Sequence, residues 1–419
     1  MSYVHILKDD DSAAMPIDLK YENRYKVLQA FRFGYECTVA DVSSATHISK
    51  LTVMRAIQFF CQKGILRSVG LGQSSDLGGK KPEVFAFADS RRVLCIAMWP
   101  GTVRLSAATL TGEPVAETEH PLDLHQPLQD VFAAVRRYVN AFLETLPCGA
   151  EGLYGVTLST SGTVDYRTGR LRYSAHSPEW GANIPISDFL RDVVGEKPVI
   201  LVENAGKTTG RSVLLSRAEL RSSRVLTLFT SWGISGCLLQ NGRPLNGRNS
   251  LIGEIGHMTV EPSDTEVCGC GMKGCLERLV SLKRVRQMMK TSPPAKESPL
   301  YGLEESVSFS QIFSASSAQD RDARTLVRYL AECFASALHN ICLIYNPDYV
   351  VFQGDFGQAD LYFDECLKMA LGDFRYYPQE GAFETIYDAR GLFELDAQGG
   401  WFMLNEYYFN TVELYMDVL

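Results

Sequence analysis

The sequence predicts an α/β protein: a small winged helix-turn-helix head followed by a two-lobed α/β body. Three observations predict it. Between residues 21 and 92, three short helical patterns precede two β-like arms. Beyond residue 92, strand patterns come first in pairs and then alternate with helices, the order of α/β lobes. Charge separates the two parts. Residues 21–92 carry eleven cationic and six acidic side chains, +5 in all, whereas the chain of 419 residues is −8, leaving −13 on the remainder. A basic head on an acidic body fits a head that meets a polyanion.

Within the head, residues 1–20 are polar and read as a flexible segment. Tyr25, Leu28 and Phe31 then recur at helical spacing, and Gly34 stops that helix. TVADVSS (38–44) reads as a short second helix with Thr38 as N-cap. After the turn at 45–48, Ser49 caps a third helix whose buried stripe is Val53, Ala56, Ile57 and Phe60, with Ile65 beyond Gly64. In a helix-turn-helix the second helix of the pair enters the major groove. Off the stripe lie Lys50, Leu51, Thr52, Arg55 and Gln58, where Lys and Arg suit phosphates or guanine edges and Gln suits adenine. Arg67–Leu71 and Glu83–Phe87 read as the arms of a wing, with Lys80 and Lys81 at its tip against backbone phosphates. The expected partner is double-stranded operator DNA.

In the body, strands are predicted at 93–98, 103–110, 153–159, 200–202, 225–229, 237–240 and 349–352. Helices are predicted at 128–145, 186–194, 276–289 and 322–345, and residues 292–298 (SPPAKES) read as an exposed loop. There is no internal repeat and no low-complexity tract. Hydrophobic content of 46% and charged content of 21% are ordinary for globular proteins. Eleven scattered cysteines make no disulfide framework. The start lacks an apolar signal region, and no run approaches the length of a membrane span. The expected compartment is the cytoplasm, without a membrane partner.

One stretch carries specific chemistry. Between Gly253 and Glu277 the sequence sets His257, Cys268, Cys270 and Cys275 close together. One imidazole and three thiols form a complete tetrahedral set for structural Zn2+. The C-x-C-x4-C spacing lets a short loop fold back on one ion, and Gly269, Gly271 and Gly274 supply tight turns.

These residues resemble the family named for repressors, open reading frames and kinases, the ROK family, from about Tyr21 onward. The carriers are G-E-x-G-H at 253–257 and C-x-C-G-x-x-G-C-x-E at 268–277. LSTSGTVDYRTGRL (158–171) and VEN (202–204) support the match. The winged head resembles the repressor branch. The resemblance implies an actin-like/hexokinase-like (RNase-H-like) ATPase-type fold with two lobes closing on a sugar. The expected boundaries are a flexible segment at 1–20, a winged head at 21–92 and a first lobe at 93–203 completed by a C-terminal helix at about 400–419. A second lobe with the zinc loop spans 204–399. By resemblance, Asn204, Glu254, His257 and Glu277 hydrogen-bond the sugar, with His257 also on the metal. The Asn-Leu-Pro-Gly-Trp-like segment of the family reads Ala175-His176-Ser177-Pro178-Glu179-Trp180, where His176 can take the place of the asparagine.

The kinase machinery departs from the family pattern. Kinase members place an aspartate after Glu-Asn as general base; here Ala205 stands there and accepts no proton. A positioned base contributes about 10²–10⁴-fold. The Asp-Gly-Gly-Thr-like phosphate loop reads Ala97-Met98-Trp99-Pro100-Gly101-Thr102, and the second loop, Thr230–Gly236, carries Trp232. No catalytic residue is therefore expected. The sequence reads as a non-enzymatic repressor of carbohydrate metabolism genes, controlled by a sugar or sugar derivative and assembled as a homodimer or homotetramer. The rival readings are a sugar kinase with residual ATP-dependent activity and a regulator controlled by a protein partner.

Overall fold

The computed structural model describes residues 16–72, 81–147, 149–373 and 383–417. In the head, α1 (Pro16–Gln29), α2 (Val39–Thr46) and α3 (Lys50–Gln62) pack on a small antiparallel sheet. Its strands are β1 (Cys37–Thr38), β2 (Leu66–Leu71) and β3 (Glu83–Phe87), in the order β1-β3-β2. Helix α1 begins at Pro16, inside the segment expected to be flexible, and Lys20 on it pairs with Asp417 at 2.7 Å. Thr38 and Asp41 close a capping box at the start of α2. The turn into α3 passes through His47 at φ 57, a left-handed position that a histidine tolerates. Val53, Ala56, Ile57, Phe60 and Ile65 are all buried against Val27, Leu28 and Phe31.

The first lobe contains β4 (Arg92–Trp99), β5 (Gly101–Thr109), β6 (Pro114–Leu122), α4 (Leu128–Thr145) and β7 (Leu153–Thr160). It continues through β8 (Thr163–Asp165), β9 (Arg170–Tyr173), α5 (Ile186–Val194) and β10 (Val199–Asn204). Its sheet runs β10-β7-β4-β5-β6, with β4–β6 antiparallel and β7 and β10 parallel to β4. Strands β4 and β7 are buried on both faces, so they read as continuous apolar runs.

The second lobe opens with α6 (Ala205–Arg211), α7 (Val213–Ser216), β11 (Arg224–Thr230), β12 (Ile234–Gln240) and β13 (Arg243–Pro244). Then come α8 (Leu276–Leu279), α9 (Leu282–Thr291), α10 (Phe309–Ser317), α11 (Arg321–Ile344), β14 (Tyr349–Gly354), α12 (Leu361–Gly372) and β15 (Glu384–Asp388). The sheet runs β15-β14-β11-β12-β13, an antiparallel hairpin extended by parallel strands. This is the arrangement of the first lobe repeated, although the sequence shows no repeat. Side-chain identity is free to diverge while backbone pairing is kept. The doubled sheet is the two-lobed actin-like/hexokinase-like fold.

The last helix, α13 (Leu392–Phe409), begins eight residues before the expected start at 400 and ends well before the C-terminus. It lies on β4 and β7 of the first lobe and packs along α6 of the second. Gly399 permits this. A Cβ there would lie 1.8 Å from the Thr208 carbonyl oxygen. Among the described residues, no helix is long and apolar enough to cross a membrane.

The head is joined to α13 and to the residues after it. One core cluster contains Phe31, Phe60 and Phe85 of the head together with Trp401, Phe402, Phe409 and Tyr415. Asn405, fully buried, donates to the carbonyls of Arg32 (3.1 Å) and Leu110 (2.8 Å) and accepts from the Arg32 guanidinium. Arg24 donates to the Tyr415 carbonyl at 2.7 Å, and Lys63 donates to the Glu413 and Met416 carbonyls.

Candidate functional site

The metal loop is built between β13 and α8. Short bridges pair Thr259 with Cys275 and Val267 with Lys273, and the Cys268 amide donates to the Met272 carbonyl at 2.8 Å. Gly271 (φ 86) and Gly274 (φ 68) take left-handed turns; Gly269 does not. A Cβ on Gly274 would meet the Glu261 carbonyl oxygen at 2.0 Å. An ion pair from Arg284 to Asp264 (2.7 Å) ties the loop to α9.

The outcome is that the ligand atoms of His257, Cys268, Cys270 and Cys275 all lie within 4.8 Å of one another. Cys268 Sγ is 3.6 Å from His257 Nδ1, and Cys270 Sγ is 3.6 Å from Cys275 Sγ. Neighbouring donors around tetrahedral zinc stand about 3.8 Å apart, given Zn–S bonds of about 2.3 Å. The donor set and spacing therefore fit a metal ion. Burial and the crowding of thiols push Cys275 up to about 12. A divalent cation reverses that preference by stabilising thiolates.

The same segment lines one wall of the interlobe cleft. Glu254 accepts from Thr163 of the first lobe at 3.4 Å, and burial raises its carboxyl above the usual range while Lys207 and His257 pull it down. Glu277 accepts from the Ile234 amide at 2.8 Å. A Cβ on Gly233 would meet the Glu277 carboxylate at 2.6 Å. His176 stands close enough to Glu277 to feel its charge, while burial holds the imidazole below its ordinary pKa. Asn204 is 6% exposed and heavily committed. Its Oδ1 accepts from the Gly206 and Lys207 amides and the Ser235 hydroxyl, and its Nδ2 donates to the Gly162 carbonyl at 2.8 Å. One amide proton remains for a ligand. Lys207 is also buried at this wall, its Nζ donating to the Ser250 carbonyl at 3.0 Å.

Trp99 closes the opposite end of the cleft. Carried at the end of β4 in the first lobe, it is 1% exposed. It stacks on Phe393 at 4.6 Å and meets Trp232, on the β11–β12 turn of the second lobe, edge to face at 5.2 Å. Phe229 and Ala205 complete this apolar plug. The sequence marks Trp99 and Trp232 individually, but nothing in it pairs residues so far apart, and Phe393 carries no local signal. Lys207 went unmarked because the motif read at this point, VEN with the position after it, stops at Ala205.

On the head, Lys50, Leu51, Arg55 and Gln58 are exposed along one face of α3, with Leu51 63% exposed. Thr52 is partly committed: its hydroxyl lies 2.9 Å from that of the cap residue Ser49. Lys81 is exposed beside β3, whereas Lys80 lies outside the described residues.

Comparison with known proteins places this geometry. A profile of the ROK family matches residues 96–387. The glucokinase of Thermotoga maritima is 27% identical over 256 residues, 60% of this chain and 79% of that enzyme. The xylose repressor of Bacillus spizizenii is 21% identical over 357 residues, 84% of this chain and 87% of that repressor. The crystal structure of a ROK family transcriptional regulator, a homologue of the E. coli MLC protein, matches with a TM-score of 0.75 at 16% identity. It covers 94% of this chain and 97% of that one. Residues 93–419 alone cannot supply 84% or 94% of the chain, so both of the latter matches extend into the head.

Proposed function

Because this chain belongs to the ROK family, we propose that it is a DNA-binding transcriptional regulator, a repressor of carbohydrate metabolism genes. A sugar or sugar derivative in the interlobe cleft sets its affinity for operator DNA. The observation that carries this reading is the head: a winged helix-turn-helix whose α3 presents Lys50, Leu51, Arg55 and Gln58 outward while its other face packs on α1, α2 and β2, with Phe60 against Tyr415. Thr52 and Lys81 would add contacts to phosphates, with Lys80 next to Lys81 in the sequence. Two such heads on a homodimer or homotetramer suit half-sites one helical turn apart.

Phosphoryl transfer does not suit this body. It requires metal, backbone donors and a base arranged around the phosphates. Ala205 provides no base, and the Trp99–Trp232–Phe393 plug occupies the meeting point of the two turns that resemble phosphate loops. The sugar wall keeps its polar groups: Glu254 and Glu277 accept hydroxyl hydrogen bonds, while Asn204 and the free ring N–H of a zinc-bound His257 each donate one. His257, Cys268, Cys270 and Cys275 would hold structural Zn2+, which would fix the loop from which Glu254 and Glu277 reach the cleft. A cytoplasmic location fits a protein that acts on DNA.

The test uses the full-length protein at one stated salt concentration. Promoter fragments bound in an anisotropy assay, with at least about a fivefold change on adding one sugar from a panel, are the expected result. A coupled ATP assay on the same panel is expected to show no turnover. Steady ATP-dependent phosphorylation of a hexose, or indifference to every promoter fragment, overturns the reading.

A further inference from the structure

We propose that a trough on the first lobe, outside the interlobe cleft, is a second ligand site, and that it takes a small uncharged molecule with an apolar, ring-sized body.

Helix α13 covers β4 and β7 and barely reaches β5. The same face of the sheet is therefore left open over β5 and β6. Strand alternation puts Arg104, Ser106 and Ala108 on that face, half-buried, while Val103, Leu105 and Ala107 turn into the core beside α4. Ser106 and Ala108 are too short to fill the space beside the helix. The result is a cavity of about 760 Å³ that runs along α13 from Phe393 to Trp401. Small-molecule sites hold about 300–1,000 Å³. None of the cleft residues Asn204, Glu254, His257 and Glu277 lines it.

The wall chooses an apolar body. Ala108, Val115, Leu392 and Ala397 supply most of it, together with the two rings. Water held against such a surface is released when an apolar group takes its place, which favours binding. Both rings are held from behind. Phe393 stacks on Trp99 at 4.6 Å, and Trp401 packs on Phe33 of the head at 6.3 Å while its indole N–H donates to the Leu110 carbonyl. The walls are thus set before any ligand arrives, and little ordering remains to oppose binding.

The rim chooses against charge. Arg104 pairs with Glu117 at 2.7 Å, and its guanidinium lies 5.3 Å from the centre of the Phe393 ring. The other carboxylate, Glu394, accepts from Gln398 at 3.1 Å and stands near enough to Arg390 to raise its pKa. Gln398 in turn accepts from Arg390 at 2.8 Å. Every charge at the rim already has an opposite neighbour. A charged ligand would lose its water over an apolar floor without gaining a free counter-charge, a net cost. A hydroxyl on the ligand can still donate to Glu117 or Glu394.

Titration calorimetry on the full-length protein tests this with three naphthalene derivatives of nearly equal size. They are 1-naphthalenemethanol, 1-naphthoate and 1-naphthylmethylamine, which at neutral pH are uncharged, anionic and cationic. The uncharged one is expected to bind saturably, one molecule per chain, and at least about 10-fold more tightly than either charged one, equivalent to about 1.4 kcal/mol. Ala108→Phe fills the trough and is expected to weaken that binding at least about 10-fold. Val115→Trp, at an exposed place on the wall, is expected to do the same and decides the matter if Ala108→Phe fails to fold. No saturable binding, charged members binding as well as the uncharged one, or binding that a folded trough variant leaves unchanged overturns the proposal. No sugar enters this experiment, so its failure leaves the reading of the interlobe cleft standing.

Discussion

Cys275 shows how much one side chain can fix. It is fully buried, pairs by backbone with Thr259, and brings its sulfur to the other three donors. Cys275→Ser, or a strong chelator on the wild type, is expected to release about one zinc per chain and to lower the melting temperature by several degrees, at roughly 2–4 °C per kcal/mol. Metal analysis beside a melting curve checks both, and an unchanged zinc content rejects the site. The cluster was legible in the sequence because all four donors lie within one short segment. Asp396 was not, because its environment is tertiary. It is 2% exposed on α13, accepts from the Ser159 hydroxyl, and burial pushes its carboxyl up to about 8. The folded state therefore holds a proton that the unfolded chain, with a pKa near the ordinary 3.8, releases. This stabilisation is complete below pH ~4 and is lost as pH rises toward 8, at about 1.4 kcal/mol per pH unit. Asp396→Asn should raise the melting temperature at pH 8, with the gain shrinking toward pH 5. A gain that is the same at both pH values rejects this account.

Among the elements, α6 and α13 decide how the lobes meet. Each covers the inner face of a different sheet, and they touch where Gly399 admits the Thr208 carbonyl. Gly399→Val must push the helices apart and is expected to destabilise by about 1–3 kcal/mol or more. Gly372→Ala, with open space around its Cβ position, serves as control and is expected within about ±1 kcal/mol. Denaturant titration of both variants is the measurement, and equal stability sinks the packing argument. Helices and strands with strong periodicity were legible: α4, α5 and α11 lie within a residue of expectation. The predicted helix at 276–289 is instead two helices, because the Ser281 hydroxyl caps a new start by accepting from the Arg284 amide. Strand β6 was missed: its PVAETEHPL run keeps an exposed edge and carries acids and prolines. Strand β15 was missed because only its pairing with β14 marks it.

For the whole molecule, the head is no loosely tethered module. Asn405, itself fully buried, joins it to both α13 and the β5–β6 turn. Asn405→Ala takes a partner from the Arg32 carbonyl and from the Arg32 guanidinium, while the Leu110 carbonyl keeps the Trp401 indole N–H, and should cost about 1–3 kcal/mol. Hydrogen exchange is expected to quicken in α1 and to stay unchanged in β11 and β14; uniform quickening rejects a local docking role.

By itself the sequence determined the clustering of four metal donors and the helix order and outward face of the head, because each is written in residues a few positions apart. Only the tertiary structure decided the rest: the repeated sheet, the Trp99–Trp232–Phe393 plug and the locking of the head by Asn405. These depend on contacts between residues tens to hundreds of positions apart. Burial, the loss of water and the pairing of charges exist only once the chain has closed on itself.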